Sequence, residues 1–304
     1  MGTRKPSLAL ITLTLVLTAS LGMGACSGNG GGGVTPSPTG ASTPATAPAL
    51  LLVQALNESG YAINNVLLGT LPAPTQRSPR LAYLPGGLLV NGPGGPTTLG
   101  RTPFSPDTRA AVVAMTDTFA VSVTGGIALD RLALAGLIDA VGGIWINVPE
   151  RLFIARPDQG LPLVVAPGWQ RFTGISGADY ATLLTPGGTQ TQVLQRFAAV
   201  FAQIIRRLPV SDERLRQVFT NLGSLAPSTT TTDVLVSAFS QARDGELAGQ
   251  DLSTIVDVAV IRDGEIPAAV VTERGSRTVA VMFADFAPTD REPLTPPRNE
   301  STTP

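Results

Sequence analysis

The chain has 304 residues, with 21 basic and 22 acidic side chains, one cysteine and no histidine. The absence of histidine excludes Ser-His and Cys-His catalysis and every histidine-ligated metal site. The single cysteine excludes an intrachain disulfide and a zinc site built from several thiolates. A net charge of −1 argues against nucleic acid as a partner, because phosphate binding requires a basic face.

The first 25 residues have the pattern of an export signal. Arg4 and Lys5 form a short positive region, and residues 8–21 are apolar and uncharged. This run is shorter than the ~20 residues that a membrane span needs. It ends in small residues directly before Cys26, an arrangement that resembles a bacterial lipobox. We expect cleavage before Cys26 and lipidation of this cysteine, which would hold the protein on the extracytoplasmic face of the cell membrane.

The alternative is an ordinary secretory signal in which Cys26 stands by chance. Only Lys5 of the 21 basic residues is a lysine, and the preference for arginine is typical of a GC-rich genome. Together with the lipobox, it leads us to expect a high-GC Gram-positive bacterium as the source.

Polar segments flank the region that is expected to fold. Residues 26–48 are rich in glycine and then in threonine, proline and serine, and they cannot bury enough apolar area to offset the entropy lost on ordering. We expect a disordered tether that spans roughly 25 Å as a flexible coil. Residues 287–304 form a similar Pro/Thr-rich tail, so the domain is expected at 49–286.

Short strands alternate with helices along this domain. Strands are predicted at residues 50–56, 66–69, 80–84, 120–123, 144–148, 152–155 and 161–166, and helices at 106–119, 131–141, 190–208, 212–222 and 232–243. Residues 86–100 are predicted to form a Gly/Pro-rich loop. The helix at 190–208 has the clearest amphipathic pattern, which places Val193, Phe197, Phe201 and Ile205 in the core.

Helix-capping and turn residues support these boundaries. Ser105, Asp130 and Ser211 are predicted N-caps, and Gly142 a left-handed C-cap. At the C-terminal end, strands at 256–262 and 279–283 flank a middle run at 268–272, with turns at Asp263-Gly264 and Arg274-Gly275. Strands and helices without strict βαβ repetition predict an α/β fold, layered α-β-α around a mixed central sheet.

The stretch 134–149, LAGLIDAVGGIWINVP, is similar to a segment of the LytR-CpsA-Psr (LCP) family of envelope proteins. In that family a helix ends in Gly-Gly and leads into a strand that ends in Val-Pro. Pro167, Gly168 and Gln170, with Gly174 after them, resemble the family's lead into its active-site helix. Residues 189–205 resemble the long helix that follows, and the resemblance covers about 50–243.

The resemblance implies a membrane-anchored extracytoplasmic phosphotransferase, which moves glycopolymers from a polyprenyl-pyrophosphate carrier to peptidoglycan. It also implies a lipid groove between sheet and helices, arginines that bind the pyrophosphate, and a magnesium ion bound by aspartate. Arginine suits this role because its planar fork binds phosphate oxygens in pairs. The metal would neutralise the charge that develops on the leaving phosphate.

The positions that are charged in the family carry neutral residues in this sequence. The family's Pro-Arg-Asp step falls on Pro85-Gly86-Gly87, and its early aspartate falls near Asn64-Asn65. Its arginines before and within the long helix fall near Thr185, Gly187, Gln192 and Gln195. An asparagine carbonyl is a poorer magnesium ligand than a carboxylate because it carries no charge.

We therefore predict a catalytically inactive relative that binds no magnesium. Its partners would be a polyprenyl lipid, a wall glycopolymer or an active LCP paralogue. The alternative is an active transferase with a rearranged anion site, for which Arg77, Arg80, Arg101 and Arg196 are the candidates. A third hypothesis is an unrelated periplasmic binding domain.

Overall fold

The computed structural model describes residues 48–71, 78–92, 94–102, 109–154, 160–262 and 267–288. The predicted signal, Cys26, Arg77, the Ser105 cap and the turn at Asp263-Gly264 lie outside these residues. Nearly all of the tether and of the C-terminal tail lies outside them as well. Within the described ranges, no helix combines the length and apolar character that crossing a membrane requires.

Thirteen strands and seven α-helices are present in these ranges. The strands are β1 (Ala49–Leu56), β2 (Ala62–Thr70), β3 (Arg80–Pro85), β4 (Leu89–Gly92), β5 (Gly95–Thr98), β6 (Gly125–Leu129), β7 (Ile144–Val148), β8 (Leu152–Ile154), β9 (Leu163–Val165), β10 (Gly168–Phe172), β11 (Ser253–Ile255), β12 (Val258–Arg262) and β13 (Ala268–Val271). The helices are α1 (Ala110–Phe119), α2 (Arg131–Ala140), α3 (Gly174–Thr182), α4 (Gln190–Arg207), α5 (Asp212–Leu222), α6 (Thr232–Leu247) and α7 (Glu273–Met282).

Five strands form a mixed central sheet in the order β11-β3-β2-β1-β6. β1 and β3 run antiparallel to β2, while β6 and β11 run parallel to their neighbours β1 and β3. β1 reads ALLLVQAL and is buried along almost its whole length. Such a continuous apolar run is typical of a strand that is covered on both faces.

Helices cover both faces of this sheet. Successive residues of a strand point to opposite faces, so Leu51 and Val53 enter a large core with α2 to α6. Leu50 and Leu52 enter a smaller core with α1 and α7. The α-β-α layers and the mixed central sheet predicted from the sequence are therefore confirmed.

Helix α4 presents the face that its sequence predicts. Thr189 caps it: the threonine hydroxyl accepts from the Gln192 backbone N–H at 3.3 Å, and the Gln192 side chain accepts from the Thr189 N–H at 2.8 Å. Phe197 and Phe201 are fully buried, and both meet the ring of Tyr83 edge-on, with centroids 6.1 and 6.3 Å apart. Through these contacts α4 packs against β3 of the central sheet within the large core.

The segments around the Gly-Gly stretch also follow the prediction. The Asp130 carboxylate accepts from the Ala133 N–H at 2.7 Å and caps α2. Gly142 has a φ of +77°, the left-handed conformation of a helix C-cap. β7 has the predicted bounds. β8 and β9 lie within the strands predicted at 152–155 and 161–166, and they pair antiparallel.

The strand predicted at 279–283 is wrong, as is the turn at Arg274-Gly275, because both fall in α7 or at its end. Thr272 caps this helix by accepting from the Gly275 N–H at 3.0 Å. Val279 and Phe283, four residues apart, are buried, whereas Val281 between them is 74% exposed. This is helical spacing, and a five-residue apolar run does not by itself distinguish a helix from a strand.

Two further predictions differ from the structure. The loop predicted at 86–100 contains the β4–β5 hairpin and a short 3₁₀ helix, Leu99–Arg101. The strand predicted at 120–123 is an irregular segment outside the sheet, which begins with Ala120 in the left-handed conformation at the end of α1. Its Ser122 N–H donates to the Phe286 carbonyl at 2.7 Å, so it bonds to the end of the domain instead of to a strand. The sheet strand of this region, β6, follows it.

Candidate functional site

The turn after β3, where the family's Pro-Arg-Asp step falls, has no room for a side chain. A Cβ atom added at Gly86 would lie far closer than 3.0 Å to the carbonyl oxygen of Ala62. A Cβ at Gly87 would lie equally close to the carbonyl oxygen of Pro267. Both obstacles are backbone atoms, which no rotamer change moves aside. In this arrangement of the backbone there is no space for an arginine or aspartate at either position, and either side chain would force the neighbouring backbone to move.

Hydrogen bonds hold the same turn against four other parts of the domain. The Gly86 N–H donates to Ile63 at 2.8 Å, and the Gly100 N–H donates to the Gly86 carbonyl at 2.7 Å. The Ala269 N–H of β13 donates to the Gly87 carbonyl at 2.9 Å. With its amide turned to satisfy both glycine N–H groups, Gln190 also accepts from them at 3.2 and 3.0 Å.

Asn65, near which the sequence resemblance places the family's early aspartate, is fully buried in β2. Its side-chain oxygen accepts from the Gln54 amide at 2.8 Å. Its neighbour Asn64 points to the other face of the sheet and donates to the Ala181 carbonyl at 3.1 Å. These amides therefore link the central sheet to itself and to α3.

The residues present do not fit the magnesium ion that the sequence resemblance implies. The oxygen of Asn65 already accepts from Gln54, and the remaining polar atom of Asn65 is an N–H donor, which repels a cation. The side-chain oxygens of Asn64 and Gln54 have no hydrogen-bond partner, but both are uncharged and they lie on opposite faces of the sheet. Magnesium prefers carboxylate oxygens and retains several waters, whereas both amides are inaccessible to solvent. Across the described ranges, no three His, Cys, Asp or Glu side chains are grouped to hold a metal ion.

Arg196 is buried, and its hydrogen bonds link α4 to the end of α3. Its Nε donates to the Tyr180 carbonyl at 2.8 Å and its Nη2 to the Leu183 carbonyl, while the guanidinium lies over the Tyr180 ring, 5.6 Å from the centroid. Burial lowers the pKa of Arg196, although the nearby Tyr180 opposes that shift. The guanidinium N–H groups therefore donate to carbonyl oxygens that have no helical partner at the end of α3.

The other candidate arginines do not gather at this turn. Arg77 lies outside the described residues. Arg80 begins β3, about 16 Å along the strand from Pro85 at the usual rise per residue. It lines a separate cavity of about 470 Å³ beside Asp285 and Phe286. Arg101 follows Gly100 and is thus nearer to the turn, and its guanidinium lies 6.0 Å from the Tyr61 ring centroid.

The positions that replace the family's helix arginines do lie together. Thr185 and Gln192 line two adjoining pockets of about 340 and 480 Å³, both of which also contact Glu150. Gln195 and Arg196 line the first pocket and Gly187 the second. Their polar groups are hydroxyls, amides, the Glu150 carboxylate and the guanidinium groups of Arg151 and Arg196. The hydroxyls and amides suit a hydroxylated ligand, whereas pyrophosphate requires several cationic forks and the Arg196 donors already bond to carbonyls of the chain.

A third cavity of about 710 Å³ lies on the other side of the α4 N-terminus. Pro85 and Gln190 line it, together with Asp257, Pro267 and Arg274 from the C-terminal segment. Sequence reasoning missed the contribution of this segment because it predicted strands where α7 forms. The Thr-Glu pair at the start of α7 was the available signal, since Thr272 is a good N-cap and Glu273 suits a first turn.

The structure also contains a buried ion pair that the sequence did not predict. Arg131 Nε lies 2.6 Å from an oxygen of the fully buried Asp179, and its Nη1 lies 2.9 Å from Glu58. The cluster joins the start of α2 to α3 and to the β1–β2 turn. Because removal of one partner would leave a buried charge, we assign these residues to stability.

Solved structures share this fold. TagV of B. subtilis aligns with a TM-score of 0.63 at 12% identity, over 80% of this chain and 99% of TagV. A LytR-Csp2A-Psr enzyme from Actinomyces oris gives 0.61 at 19% identity, over 77% and 89%. TagT bound to LI-WTA gives 0.59 at 12% identity, over 79% and 91%.

At these identities the similarity establishes the fold, which is LCP-like, as the sequence resemblance implies. No protein-family model matches the sequence, and no curated protein does. The shared fold argues against the third hypothesis, an unrelated periplasmic binding domain.

The closed turn yields a stability prediction. Gly87→Ala should destabilise the domain by about 1–3 kcal/mol or more, because the new methyl group has to displace the Pro267 backbone. Gly94→Ala is the matched control: nothing lies within 4 Å of its added Cβ, so stability should change by less than about 0.5 kcal/mol. Urea unfolding measures both, and equal stabilities would show that the turn has room for a side chain.

Proposed function

We propose that this chain is a non-catalytic protein of LCP-like fold, held by a lipid on Cys26 at the extracytoplasmic face of the cell membrane. It binds a wall glycopolymer, its polyprenyl carrier or an active LCP relative, and it transfers no phosphoryl group. The observation that carries this proposal is the turn at Gly86-Gly87, where backbone atoms occupy the space that charged side chains would need.

The loss of cationic groups supports the absence of transfer. Each hydrogen bond to a charged group contributes ~1.5–3 kcal/mol, so a site without several such contacts holds pyrophosphate weakly. Thr185, Gln192 and Gln195 supply no positive charge, and the Arg196 donors already bond to carbonyls of the chain. Among the described residues that line the two pockets, Arg151 is the remaining guanidinium, and one cation does not replace the several that pyrophosphate needs. Without a carboxylate at Asn65, no magnesium would be present to stabilise the leaving phosphate.

Retention of the fold and of a polar pocket supports binding. TagT, which shares the fold, is bound to LI-WTA, a wall teichoic acid glycopolymer. In this chain the pocket at Thr185, Gln192 and Gln195 remains open, and its amides and hydroxyl both donate and accept hydrogen bonds. A polymer rich in hydroxyl groups matches such a lining.

The alternative is an active transferase that attaches polyprenyl-pyrophosphate-linked glycopolymers to peptidoglycan through a relocated anion site. We expect the full chain, assayed with magnesium and a polyprenyl-pyrophosphate-linked saccharide, to release no polyprenyl phosphate above the buffer level. The Actinomyces oris enzyme, assayed in parallel, serves as the positive control. Magnesium-dependent turnover that Arg77→Ala, Arg80→Ala or Arg101→Ala abolishes would establish the alternative.

Membrane attachment has its own test. Cys26→Ala should release the protein from the membrane fraction or leave the precursor uncleaved, because the lipid would have no attachment point. Ser27→Ala, one residue further on, should leave both the fractionation and the cleavage unchanged. Cell fractionation with immunoblotting measures the two variants, and a cleaved Cys26→Ala protein that stays in the membrane fraction would contradict lipid anchoring.

A further inference from the structure

Both tryptophans of the chain lie on one exposed face of the β7–β10 ribbon. Trp145 is 45% exposed and Trp169 is 67% exposed. The alternate residues Ile144, Ile146 and Val148 point inward and belong to the large core. Tryptophan is highly buried on average, so two exposed indoles on a single short ribbon require an explanation.

The register of the ribbon sets the arrangement of this face. Trp145 pairs with Arg171, and Trp169 pairs with Asn147. The two tryptophans are therefore diagonal neighbours, about 7–8 Å apart at the backbone. Among the described residues neither indole stacks on another aromatic ring. The face therefore presents the two indole rings, with the Asn147 amide and the Arg171 guanidinium beside them.

Arg171 is held at the edge of this face. Its Nη2 donates to the Gly142 carbonyl at 3.1 Å. A guanidinium has five N–H donors, so this single bond leaves others that can reach a ligand. The four residues of the face carry one positive charge and no negative charge, so the face does not repel a ligand that bears phosphate or carboxylate groups beside its sugar rings.

The face continues into the pocket described above. Asn147, the cross-strand partner of Trp169, also lines the 340 Å³ pocket with Gln192, Gln195 and Glu150. One end of the β7–β10 ribbon therefore lies beside a pocket whose polar lining includes amides, a carboxylate and the Arg196 guanidinium. A ligand that lay along the ribbon would meet apolar surfaces first and hydrogen-bonding groups next.

We propose that Trp145, Asn147, Trp169 and Arg171 form a binding platform for a glycan strand, which runs from the ribbon into the pocket at Gln192 and Gln195. A pyranose ring has an apolar face of C–H groups and an edge of hydroxyls. Indole rings stack on the first, and amide and guanidinium groups bond to the second. The inference rests on the proposed function for its ligand class and adds the surface that recognises it.

A membrane surface is the competing partner, because exposed tryptophans also insert at lipid interfaces. The platform favours a glycan, since Asn147 and Arg171 lie between the indoles and the adjoining pocket offers hydrogen bonds that acyl chains cannot use. The experiment therefore includes both partners. The probes are an N-acetylglucosamine tetramer, purified peptidoglycan sacculi, and vesicles of phosphatidylglycerol and phosphatidylethanolamine in equal parts.

Intrinsic fluorescence reports on the platform directly, because the chain has no other tryptophan. We expect the tetramer to change the emission of the full chain saturably. Trp145→Ala and Trp169→Ala should each weaken binding about tenfold, the usual effect of removing an aromatic anchor. Trp→Phe at either position should weaken it less, because a ring remains. Tyr61→Ala, at an aromatic that is 39% exposed outside the ribbon, is the matched control and should bind like the parent.

Sacculus co-sedimentation should follow the same order of variants. If the parent binds glycan and the tryptophan variants bind equally well, the platform is excluded while the proposed function stands. If the parent binds neither the tetramer nor sacculi, the glycan assignment is overturned. It is also overturned if the parent binds only the vesicles and the tryptophan variants no longer bind them. The turnover assay is independent of all these outcomes, so a failure of the non-catalytic proposal is recognised separately.

Discussion

The architecture around the candidate site depends on a close approach of backbone to backbone. At the end of β3 the missing side chains of Gly86 and Gly87 let the backbones of β2 and of the segment before β13 come into contact with the turn. The Ala269 N–H and the Gln190 amide then complete its hydrogen bonds. The central sheet, α4 and the C-terminal segment are thereby joined at one point, to which the sequence resemblance assigns the charged Pro-Arg-Asp step of the family.

The buried arginines have a similar structural role. Arg196 bonds to two carbonyls near the end of α3, and Arg243, also buried, bonds to the Pro209 carbonyl and to Asp244. In each case the guanidinium supplies donors to main-chain groups that helix ends and turns leave unpaired. An arginine held in this way is not available to bind a phosphate, so counting arginines in the sequence overstates the anion-binding capacity of the fold.

Short-range sequence patterns predicted those helices and strands whose position depends mainly on neighbouring residues in the chain. The alternation in 144–148 and the amphipathic pattern at 190–208 were sufficient to predict β7 and α4. The helix at 273–282 was not predicted, because its apolar residues are few and the surrounding glycines resemble turns. The lack of charge at Gly86 and Gly87 was visible in the sequence, but the steric closure was not, since Pro267 lies 180 residues further along the chain. Pairing of Trp145 with Arg171 likewise depends on a register that the sequence does not display.

Hydrogen exchange at the Ala269 amide tests the closed turn most directly, because this N–H bonds to the Gly87 carbonyl only while the C-terminal segment is docked. If the closure is a permanent part of the fold, Ala269 should exchange as slowly as amides of the central sheet such as Val53 and Val66. Exchange of Ala269 at the rate of an unprotected peptide, while the sheet amides stay protected, would show that the segment lifts away. The turn would then be open for part of the time, and the account of a closed, non-catalytic site would be contradicted.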